Sequence, residues 1–276
     1  MKFWKKALLT IAALTVGTSA GITSVSAASS AVNSELVHKG ELTIGLEGTY
    51  SPYSYRKNNK LTGFEVDLGK AVAKKMGLKA NFVPTKWDSL IAGLGSGKFD
   101  VVMNNITQTP ERAKQYNFST PYIKSRFALI VPTDSNIKSL KDIKGKKIIA
   151  GTGTNNANVV KKYKGNLTPN GDFASSLDMI KQGRAAGTVN SREAWYAYSK
   201  KNSTKGLKMI DVSSEQDPAK ISALFNKKDT AIQSSYNKAL KELQQDGTVK
   251  KLSEKYFGAD TVSYTHLRAH ETDSYL

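Results

Sequence analysis

Residues 104–122, NNITQTPERAKQYNFSTPY, decide how the rest of the chain is interpreted. They directly follow residues 99–103, a largely apolar run that predicts a buried strand. Pro110 suits the first turn of a helix because its missing N–H would have no partner there, and Thr109 can cap that turn with its hydroxyl. We therefore predict a short helix at the carboxyl end of a strand, the edge at which open α/β sheets bind ligands.

Arg112 would project from this short helix. Its guanidinium carries a fixed fork of donors that fits a carboxylate with two hydrogen bonds. Asn104, Asn105 and Thr107 add neutral donors and acceptors that would orient the bound group. The alternative is that Arg112 is an ordinary surface residue that pairs with Glu111 or another neighbour.

The composition is that of an ordinary globular protein, with 39% hydrophobic and 23% charged residues in a chain of 276. This length allows two lobes, each with its own core. The sequence contains no cysteine, which excludes disulfides and an anchor on a lipid-modified cysteine. We expect a monomer.

Both ends of the sequence are interpreted separately from the fold. Residues 1–27 combine a lysine-rich start, a short apolar run and a Val-Ser-Ala site, which predict a secretory signal peptide cleaved after Ala27. Residues 262–276 begin with VSYTHLRAHET, which matches a translated sequencing adapter, and we treat this tail as non-native by hypothesis. That hypothesis removes His266 and His270 as metal ligands, so we expect neither a metal nor a cofactor.

The chain is strongly basic, with 41 lysines and arginines, 23 acidic residues and a formal net charge of +18. The lysines are spread along the sequence and are not interleaved with aromatic residues as in a nucleic-acid groove, so we expect no nucleic-acid partner. A secreted protein with this excess would be retained at the cell surface or cell wall by salt-sensitive attraction to anionic polymers. Simple solubility is the alternative explanation.

Strand and helix patterns alternate along the chain and then restart. The helix at residues 63–76 is marked by apolar residues four apart, and strand patterns precede and follow it. Such a βαβαβ order implies a parallel sheet. We predict an α/β protein of two lobes with parallel-rich sheets, connected by hinge strands at residues 127–132 and 221–225. The predicted limits are residues 28–127 with 224–261 for one lobe and 128–223 for the other.

Residues 151–155, GTGTN, predict a turn that leads into a helix. Backbone N–H groups at a helix start carry partial positive charge and attract a carboxylate. Thr154 and Asn155 are therefore candidates for a second part of the site, although an ordinary helix cap is the alternative.

Four aromatic residues lie at loop or helix-start positions of the predicted fold. Tyr50 and Trp87 each come just after the carboxyl end of a predicted strand and are the better candidates for a ligand cleft. Core packing is expected for Phe64 and Tyr53.

The sequence offers little for catalysis. Outside the tail the one histidine is His38, near the start of the mature chain, so a nucleophile–histidine pair is excluded. There is no GxSxG motif, and nothing in the sequence pairs Glu47 or Glu193 with a second acid–base group. We expect that the protein is not an enzyme.

Several motifs together resemble the amino-acid class of ABC-transporter solute-binding proteins. They are GLEGTYSPYSY (45–55), LTGFEVDLGKAVAKKMG (61–77), WDSLIAGLGSGKFDVVMNNITQTPER (87–112), GTGTN (151–155) and DGTVKKLSEKYFG (246–258). The cystine-type subgroup matches best, and within it the basic surface proteins of lactobacilli, some of which bind collagen or mucus. The family fold is periplasmic-binding-protein-like, type II: two α/β lobes on two hinge strands that close on a ligand.

The resemblance implies that Arg112 clamps the α-carboxylate of an amino acid, with Thr154 and Asn155 helping from the opposite lobe. Asn105 and Thr107 would bind the α-ammonium or the carboxylate. The remaining ligand contacts implied are Glu47, Tyr50, Trp87 and Ser191.

The chain departs from the family pattern at the residue that is expected to bind the α-ammonium group of the ligand. Family members commonly carry an aspartate for this group, whereas this chain has Ser191 in the run Asn-Ser-Arg. A neutral serine cannot balance the charge, so Glu47 or Glu193 would have to substitute, or the ligand is not a plain L-amino acid.

The sequence and the family resemblance leave three candidate functions. The first is capture of a polar amino acid, with cystine as the first candidate, for an ABC permease and ATPase. The second is a surface adhesin that binds collagen, mucin or anionic cell-wall polymer. The third is a cleft enzyme such as a dehydratase on the same fold, which the missing acid–base pair disfavours.

Overall fold

The computed structural model describes residues 29–258 and 260–261, so the predicted signal peptide and tail lie outside the described residues. The strands are β1 (Glu41–Leu46), β2 (Tyr55–Lys57), β3 (Lys60–Thr62), β4 (Lys79–Pro84), β5 (Val101–Val102), β6 (Tyr116–Phe118), β7 (Ile123–Ser125), β8 (Phe127–Pro132), β9 (Lys147–Ala150), β10 (Asn166–Pro169), β11 (Gly187–Ser191), β12 (Leu207–Asp211), β13 (Ala219–Ile221) and β14 (Leu224–Asn226). The helices are α1 (Ser30–Glu35), α2 (Phe64–Lys75), α3 (Trp87–Gly95), α4 (Pro110–Gln115), α5 (Asn155–Lys162), α6 (Phe173–Lys181), α7 (Arg192–Ser199), α8 (Thr230–Gln245) and α9 (Thr248–Phe257). Within the described ranges, no helix has the length and apolar character needed to cross a membrane.

Two five-stranded sheets form the cores of two lobes. The first has the order β4-β1-β5-β14-β6 and the second the order β10-β9-β11-β8-β12. In each sheet three parallel strands are followed by two antiparallel pairings. We call the first sheet with its packed helices lobe 1 and the second sheet with its helices lobe 2. The predicted α/β fold with two parallel-rich sheets is confirmed.

The strands that connect the lobes differ from the two that were predicted. β8 lies inside the sheet of lobe 2, between β11 and β12, and β14 lies inside the sheet of lobe 1. The connection is instead the antiparallel pair β7 and β13. These two strands have only three residues each, which is too short for a periodic pattern. The apolar sequence of β8 predicts a buried strand but does not indicate whether that strand lies in a sheet or connects the lobes.

Helix α2 packs on the sheet of lobe 1 as its spacing predicted. Phe64, Leu68 and Val72 are fully buried on one face, and Gly77 follows the helix with a φ of 73°. At its start, Gly63 has a φ of 133°, and a Cβ there would lie 2.2 Å from the carbonyl oxygen of Tyr53. Glycine is the residue that fits this position, and it allows the loop that carries Tyr50 and Tyr53, called the aromatic loop below, to lie directly against the start of α2.

Candidate ligand-binding site

A cleft of about 630 Å³, counting the solvent at its mouth, lies between the two lobes. Its lining follows the carboxyl ends of β1, β5, β9 and β10, which is the edge where the sequence predicted a site. Eight of the nine predicted residues line it: Glu47, Tyr50, Trp87, Asn105, Thr107, Arg112, Thr154 and Asn155. Ser191 does not belong to the lining.

Arg112 is positioned by α4, the short helix that the sequence predicted. The Thr109 hydroxyl accepts a hydrogen bond from the Arg112 N–H at 3.3 Å and caps the helix. The guanidinium donates to the carbonyl of Thr107 at 2.9 Å in lobe 1 and to the carbonyl of Gly153 at 2.9 Å in lobe 2. It also lies 5.6 Å from the centre of the Trp87 ring, within the range of a cation–π contact. Two of its five N–H donors are used, which leaves three for a ligand.

Glu47 is held by the side chain of Asn104 through two hydrogen bonds. The Glu47 N–H donates to Asn104 Oδ1 at 2.9 Å, and Asn104 Nδ2 donates to Glu47 Oε2 at 2.7 Å. Burial raises the pKa of the Glu47 carboxyl, while the bond from Asn104 lowers it. Asp172 and Asp88 also raise this pKa, but both are exposed. The carboxylate is therefore fixed in orientation at the edge of the cleft.

Arg112 and Glu47 are both partly buried and both unpaired. In the part of the chain that the structure describes, neither side chain has an opposite charge within 4 Å, and they do not pair with each other. Burial accordingly lowers the pKa of the Arg112 guanidinium and raises that of the Glu47 carboxyl. A charge withdrawn from water is unfavourable until an opposite charge reaches it. The cleft thus presents one cation and one anion to whatever enters.

Asn105 contributes an acceptor to the same cleft. It adopts a left-handed backbone conformation with a φ of 50°, which asparagine tolerates better than most residues. Its Oδ1 atom is buried and accepts no hydrogen bond from the described residues. A buried acceptor without a donor is unusual in a native protein, so this oxygen is available to a ligand donor.

Lobe 2 contributes the start of helix α5. The Thr154 hydroxyl accepts from the Ala157 N–H at 3.1 Å and donates to the carbonyl of Gly151 at 2.7 Å. The cap that was considered as the alternative is therefore present. The first N–H groups of a helix have no partner within the helix, and Asn155 and Asn156, the first two residues of α5, line the cleft. The cap and an anion-binding role are compatible.

Among the described residues, four side-chain hydrogen bonds join the two lobes across the cleft. Besides the bond from Arg112 to Gly153, the Trp87 indole donates to the carbonyl of Thr152 at 2.8 Å. The Tyr50 hydroxyl donates to Asn190 Oδ1 at 2.7 Å. The Tyr53 hydroxyl donates to Ser191 Oγ at 3.0 Å. The expected core positions of Tyr53 and Phe64 are confirmed, since both are fully buried.

The side chains of Ser191 and Glu193 form hydrogen bonds within the protein and do not line the cleft. Ser191 is buried and caps α7, with its Oγ accepting from the Ala194 N–H at 3.1 Å and from Tyr53. Glu193 is buried behind it, where its carboxylate accepts from the Ser125 hydroxyl at 2.9 Å. Of the two acids considered as substitutes for the family aspartate, Glu47 alone reaches the cleft lining.

Sequence reasoning missed several polar residues of the lobe 2 wall. Asn156, Asn170, Ser176, Thr188 and Asn190 all line the cleft. The available signal for Asn170 was its position directly after strand β10, at the same sheet edge as the GTGTN turn. Ser176 and Thr188 lie within a helix and a strand, where no local pattern separates a cleft residue from a core residue.

This fold and cleft are those of a family of binding proteins. Residues 42–259 match the bacterial extracellular solute-binding proteins, family 3, and the chain belongs to that family. It is therefore a solute-binding protein and not an enzyme. The chain is 40% identical to the L-cystine-binding protein TcyA of Bacillus subtilis over 226 residues, which cover 80% of this chain and 83% of that protein.

Two solved structures with more than 30% sequence identity share this fold. An ancestral arginine-binding protein bound to arginine is 36% identical and gives a TM-score of 0.73, covering 79% of this chain and 99% of that one. The L-cystine solute receptor of Neisseria gonorrhoeae, in its unliganded open conformation, is 38% identical, yet its TM-score is 0.58 over 84% of this chain and 97% of that one.

Proposed function

We propose that this protein captures a polar amino acid outside the cell and delivers it to the permease and ATPase of an ABC importer. The observation that carries the proposal is the pair of unpaired opposite charges, Arg112 and Glu47, on one cleft. A free amino acid brings one carboxylate and one ammonium on the same carbon. It can therefore neutralise both protein charges with one small molecule.

The carboxylate of the ligand is assigned to Arg112 and to the start of α5. Three guanidinium donors remain for it. Asn155 and Asn156 line the cleft from lobe 2 at the start of α5, where helix N–H groups favour an anion. Thr107, whose backbone carbonyl accepts from the guanidinium, lines the cleft as well.

The ammonium of the ligand is assigned to Glu47 and to the Oδ1 atom of Asn105. Both are acceptors at the cleft, and the second has no donor among the described residues. This assignment explains why a serine is tolerated at position 191, since Ser191 bonds Tyr53 and closes the lobes instead of balancing a charge. Tyr50 and Trp87 form the walls on either side of the ligand side chain.

Cystine is the first candidate ligand. TcyA and the receptor of Neisseria gonorrhoeae are named for L-cystine, and they match this chain at 40% and 38% identity. The arginine-binding protein named above is the reason to test basic amino acids as well. Polar amide and hydroxyl groups on lobe 2 would suit the far end of either ligand.

Ligand binding would stabilise the closed arrangement because only that arrangement brings α5 to the carboxylate on Arg112. A ligand shifts such an equilibrium by the contacts it makes in one state and not in the other. The four direct bonds between the lobes add to the closed state whether or not ligand is present.

The test is a thermal-shift screen of the purified protein against the twenty amino acids and L-cystine, followed by calorimetry on each ligand that stabilises it. We expect at least one polar amino acid to bind with a micromolar or lower Kd. A protein that binds none of them, in calorimetry as well as in the screen, contradicts the proposal.

A second function is favoured by a lysine patch at the far end of lobe 2. The patch consists of eight exposed lysines around the start of β9 and the end of α5: Lys138, Lys141, Lys144, Lys146, Lys147, Lys161, Lys162 and Lys164. Backbone hydrogen bonds from Gly145 to Lys164 and from Asn166 to Lys146 hold the two segments together. The patch lies at the opposite ends of these elements from the cleft, so an anionic polymer bound there would leave the cleft open.

Retention of the protein on an anionic surface polymer such as mucin, a wall polymer or a collagen-associated glycan is the function that this patch supports. Binding to a heparin column and to isolated cell walls should fall steeply between low and moderate salt. Replacement of Lys141, Lys144, Lys146 and Lys147 by glutamine should weaken it, and Arg112→Ala should not. Retention that survives the four substitutions would assign it to another surface.

A further inference from the structure

Three parts of lobe 1 meet at the buried side chain of Glu65. This residue is fully buried in the first turn of α2. Its N–H donates to the carbonyl of Tyr53 at 2.9 Å, which attaches it to the aromatic loop. One carboxylate oxygen, Oε1, accepts from the Asn105 N–H at 2.7 Å and from the Tyr122 hydroxyl at 2.6 Å. The other oxygen, Oε2, is buried and accepts nothing from the described residues.

The hydrogen bond between Glu65 and the Asn105 N–H helps to fix the conformation of a residue that lines the cleft. A left-handed conformation is unfavourable for a residue other than glycine unless its surroundings hold it. In Asn105 the N–H is bonded to Glu65. The residue lines the cleft, and its buried side-chain Oδ1 has no donor among the described residues. Without Glu65 the backbone would be free to leave this conformation, and Oδ1 would lose its position at the ligand.

The hydrogen bond between Glu65 and the Tyr122 hydroxyl links Glu65 to the hinge, which is the pair of connecting strands β7 and β13. Tyr122 directly precedes β7, one of the two strands that connect the lobes. Its N–H donates at 2.9 Å to the carbonyl of Ile221, at the end of the second connecting strand, β13. One carboxylate oxygen therefore joins a residue of the cleft to the point where both connecting strands begin to pair.

We propose that Glu65 is a positioning residue for ligand binding: it holds Asn105 in its left-handed conformation and ties that residue, through Tyr122, to the hinge. The proposal rests on the proposed capture of an amino acid, because it assigns the ligand ammonium to Asn105 Oδ1. Glu65 itself does not line the cleft.

The protonation state of Glu65 supplies a readout that a purely structural residue would lack. Burial raises the pKa of its carboxyl to about 7, the bonds from Tyr122 and Asn105 lower it, and the charge of Glu47 raises it. Tyr236 is the other titratable group that faces it. A ligand ammonium beside Asn105 favours the ionised form, so ligand affinity should rise as the pH rises through about 7 and then level off.

The experiment measures Kd by calorimetry for L-cystine and for L-glutamine between pH 5.5 and 8.0. For the wild type we expect affinity for the bound ligand to rise about tenfold over this range. Glu65→Gln keeps a carbonyl acceptor for both bonds but cannot ionise, so its affinity should match the wild type at low pH and lack the step near pH 7. Any pH dependence of ligand affinity that remains at lower pH is assigned to Glu47, whose pKa is also raised.

Two further variants make the result specific. Tyr122→Phe removes one bond that lowers the pKa of Glu65, so the step in affinity should move to higher pH. Asp100→Asn is the matched control, because Asp100 is also a buried carboxylate with a raised pKa, bonded to the N–H groups of Val37 and Thr43. It should change thermal stability and leave the pH profile of Kd unchanged.

The outcomes separate this inference from the proposed function. If the wild type binds either probe and Glu65→Gln keeps the same step near pH 7, the inference is wrong and the proposed function stands. The same conclusion follows if Glu65→Gln weakens binding equally at every pH, as a general loss of structure would. If neither probe nor any other amino acid binds the wild type, both are overturned.

Discussion

The two faces of the cleft differ in kind. The lining residues of lobe 1 include both charges, Glu47 and Arg112, together with Tyr50 and Trp87, whereas lobe 2 has Phe173 as its aromatic lining residue. The lining residues of lobe 2 are all uncharged, and they offer amides, hydroxyls and the N–H groups at the start of α5. Lobe 1 therefore has the long-range attraction for a zwitterion, whereas lobe 2 has short-range hydrogen bonds.

This difference indicates an order of events. Charge interactions reach further than hydrogen bonds, which require contact. An amino acid would first settle on lobe 1, and lobe 2 would then close over it. Substitutions on lobe 1 should accordingly change affinity far more than substitutions on lobe 2. Three of the four predictions below test this ranking, and the other concerns a buried charge in lobe 1.

The largest effect is expected for Arg112→Ala. Removal of the cation leaves the ligand carboxylate without its charged partner, and affinity should fall about 1000-fold, or about 4 kcal/mol. Calorimetry with the best amino acid from the screen measures this loss. Lys114→Ala removes an exposed charge from the same helix and should change Kd less than threefold. Unchanged binding in Arg112→Ala would remove the arginine from the site.

The next effect is expected for Glu47→Gln. Glutamine keeps an oxygen for Asn104 Nδ2 but loses the charge, and affinity should fall about 50-fold because the ammonium is then unbalanced. Asp88→Asn, which neutralises an exposed carboxylate close enough to raise the pKa of Glu47, is the control and should have a small effect. If the two variants bind equally well, the ammonium has another partner.

The third prediction concerns stability and the cost of buried charge in lobe 1. The pKa of Glu65 is raised to about 7 in the folded protein, so the folded state holds its proton more tightly than the unfolded state does. The contribution of this group to stability is full below about pH 4.5, falls as the pH rises, and is gone above about pH 7.

Glu65→Gln removes this dependence. Its free energy of unfolding, relative to the wild type, should therefore rise by roughly 1 to 3 kcal/mol between pH 4.5 and pH 8. Urea unfolding at both pH values measures it. Glu254→Gln, an exposed substitution on α9, should shift by less than about 0.5 kcal/mol. A wild-type protein that gains stability from pH 5 to 8 relative to Glu65→Gln would contradict the assignment.

The smallest effect is expected on lobe 2. Thr154→Ala removes the cap of α5, which should lower stability by about 1 kcal/mol and weaken ligand binding only a few-fold. Thr154→Ser keeps the hydroxyl and should behave like the wild type in both measurements. A loss of affinity in Thr154→Ala as large as that in Glu47→Gln would reverse the ranking of the two faces.

The parts of the site that depend on neighbouring residues could be predicted from the sequence. Thr109, Pro110 and Arg112 lie within four residues of each other, and the cap and the helix start follow from their chemistry alone. Thr154 was predicted in the same way. The connecting strands could not be predicted, because β7 and β13 are set by their pairing with each other across almost one hundred residues.

Ser191 is a single residue whose role likewise could not be predicted from its sequence neighbours. Compared with the family pattern, the sequence indicates a missing negative charge. The structure shows that the hydroxyl is engaged by Tyr53, which lies 138 residues away, and that this bond joins the lobes. No local pattern contains that contact.

The sequence by itself determined the alternation of strands and helices, the caps, and the kinds of side chain that follow each strand, since periodicity and capping act over a few residues. The tertiary structure alone decided which charges are left without a partner. Glu47 meets Asn104 across 57 residues and Glu65 meets Asn105 across 40, so the folded arrangement fixes their burial and pairing. The proposed function depends on this arrangement, because a buried charge that has no opposite charge in the protein favours a ligand that supplies one.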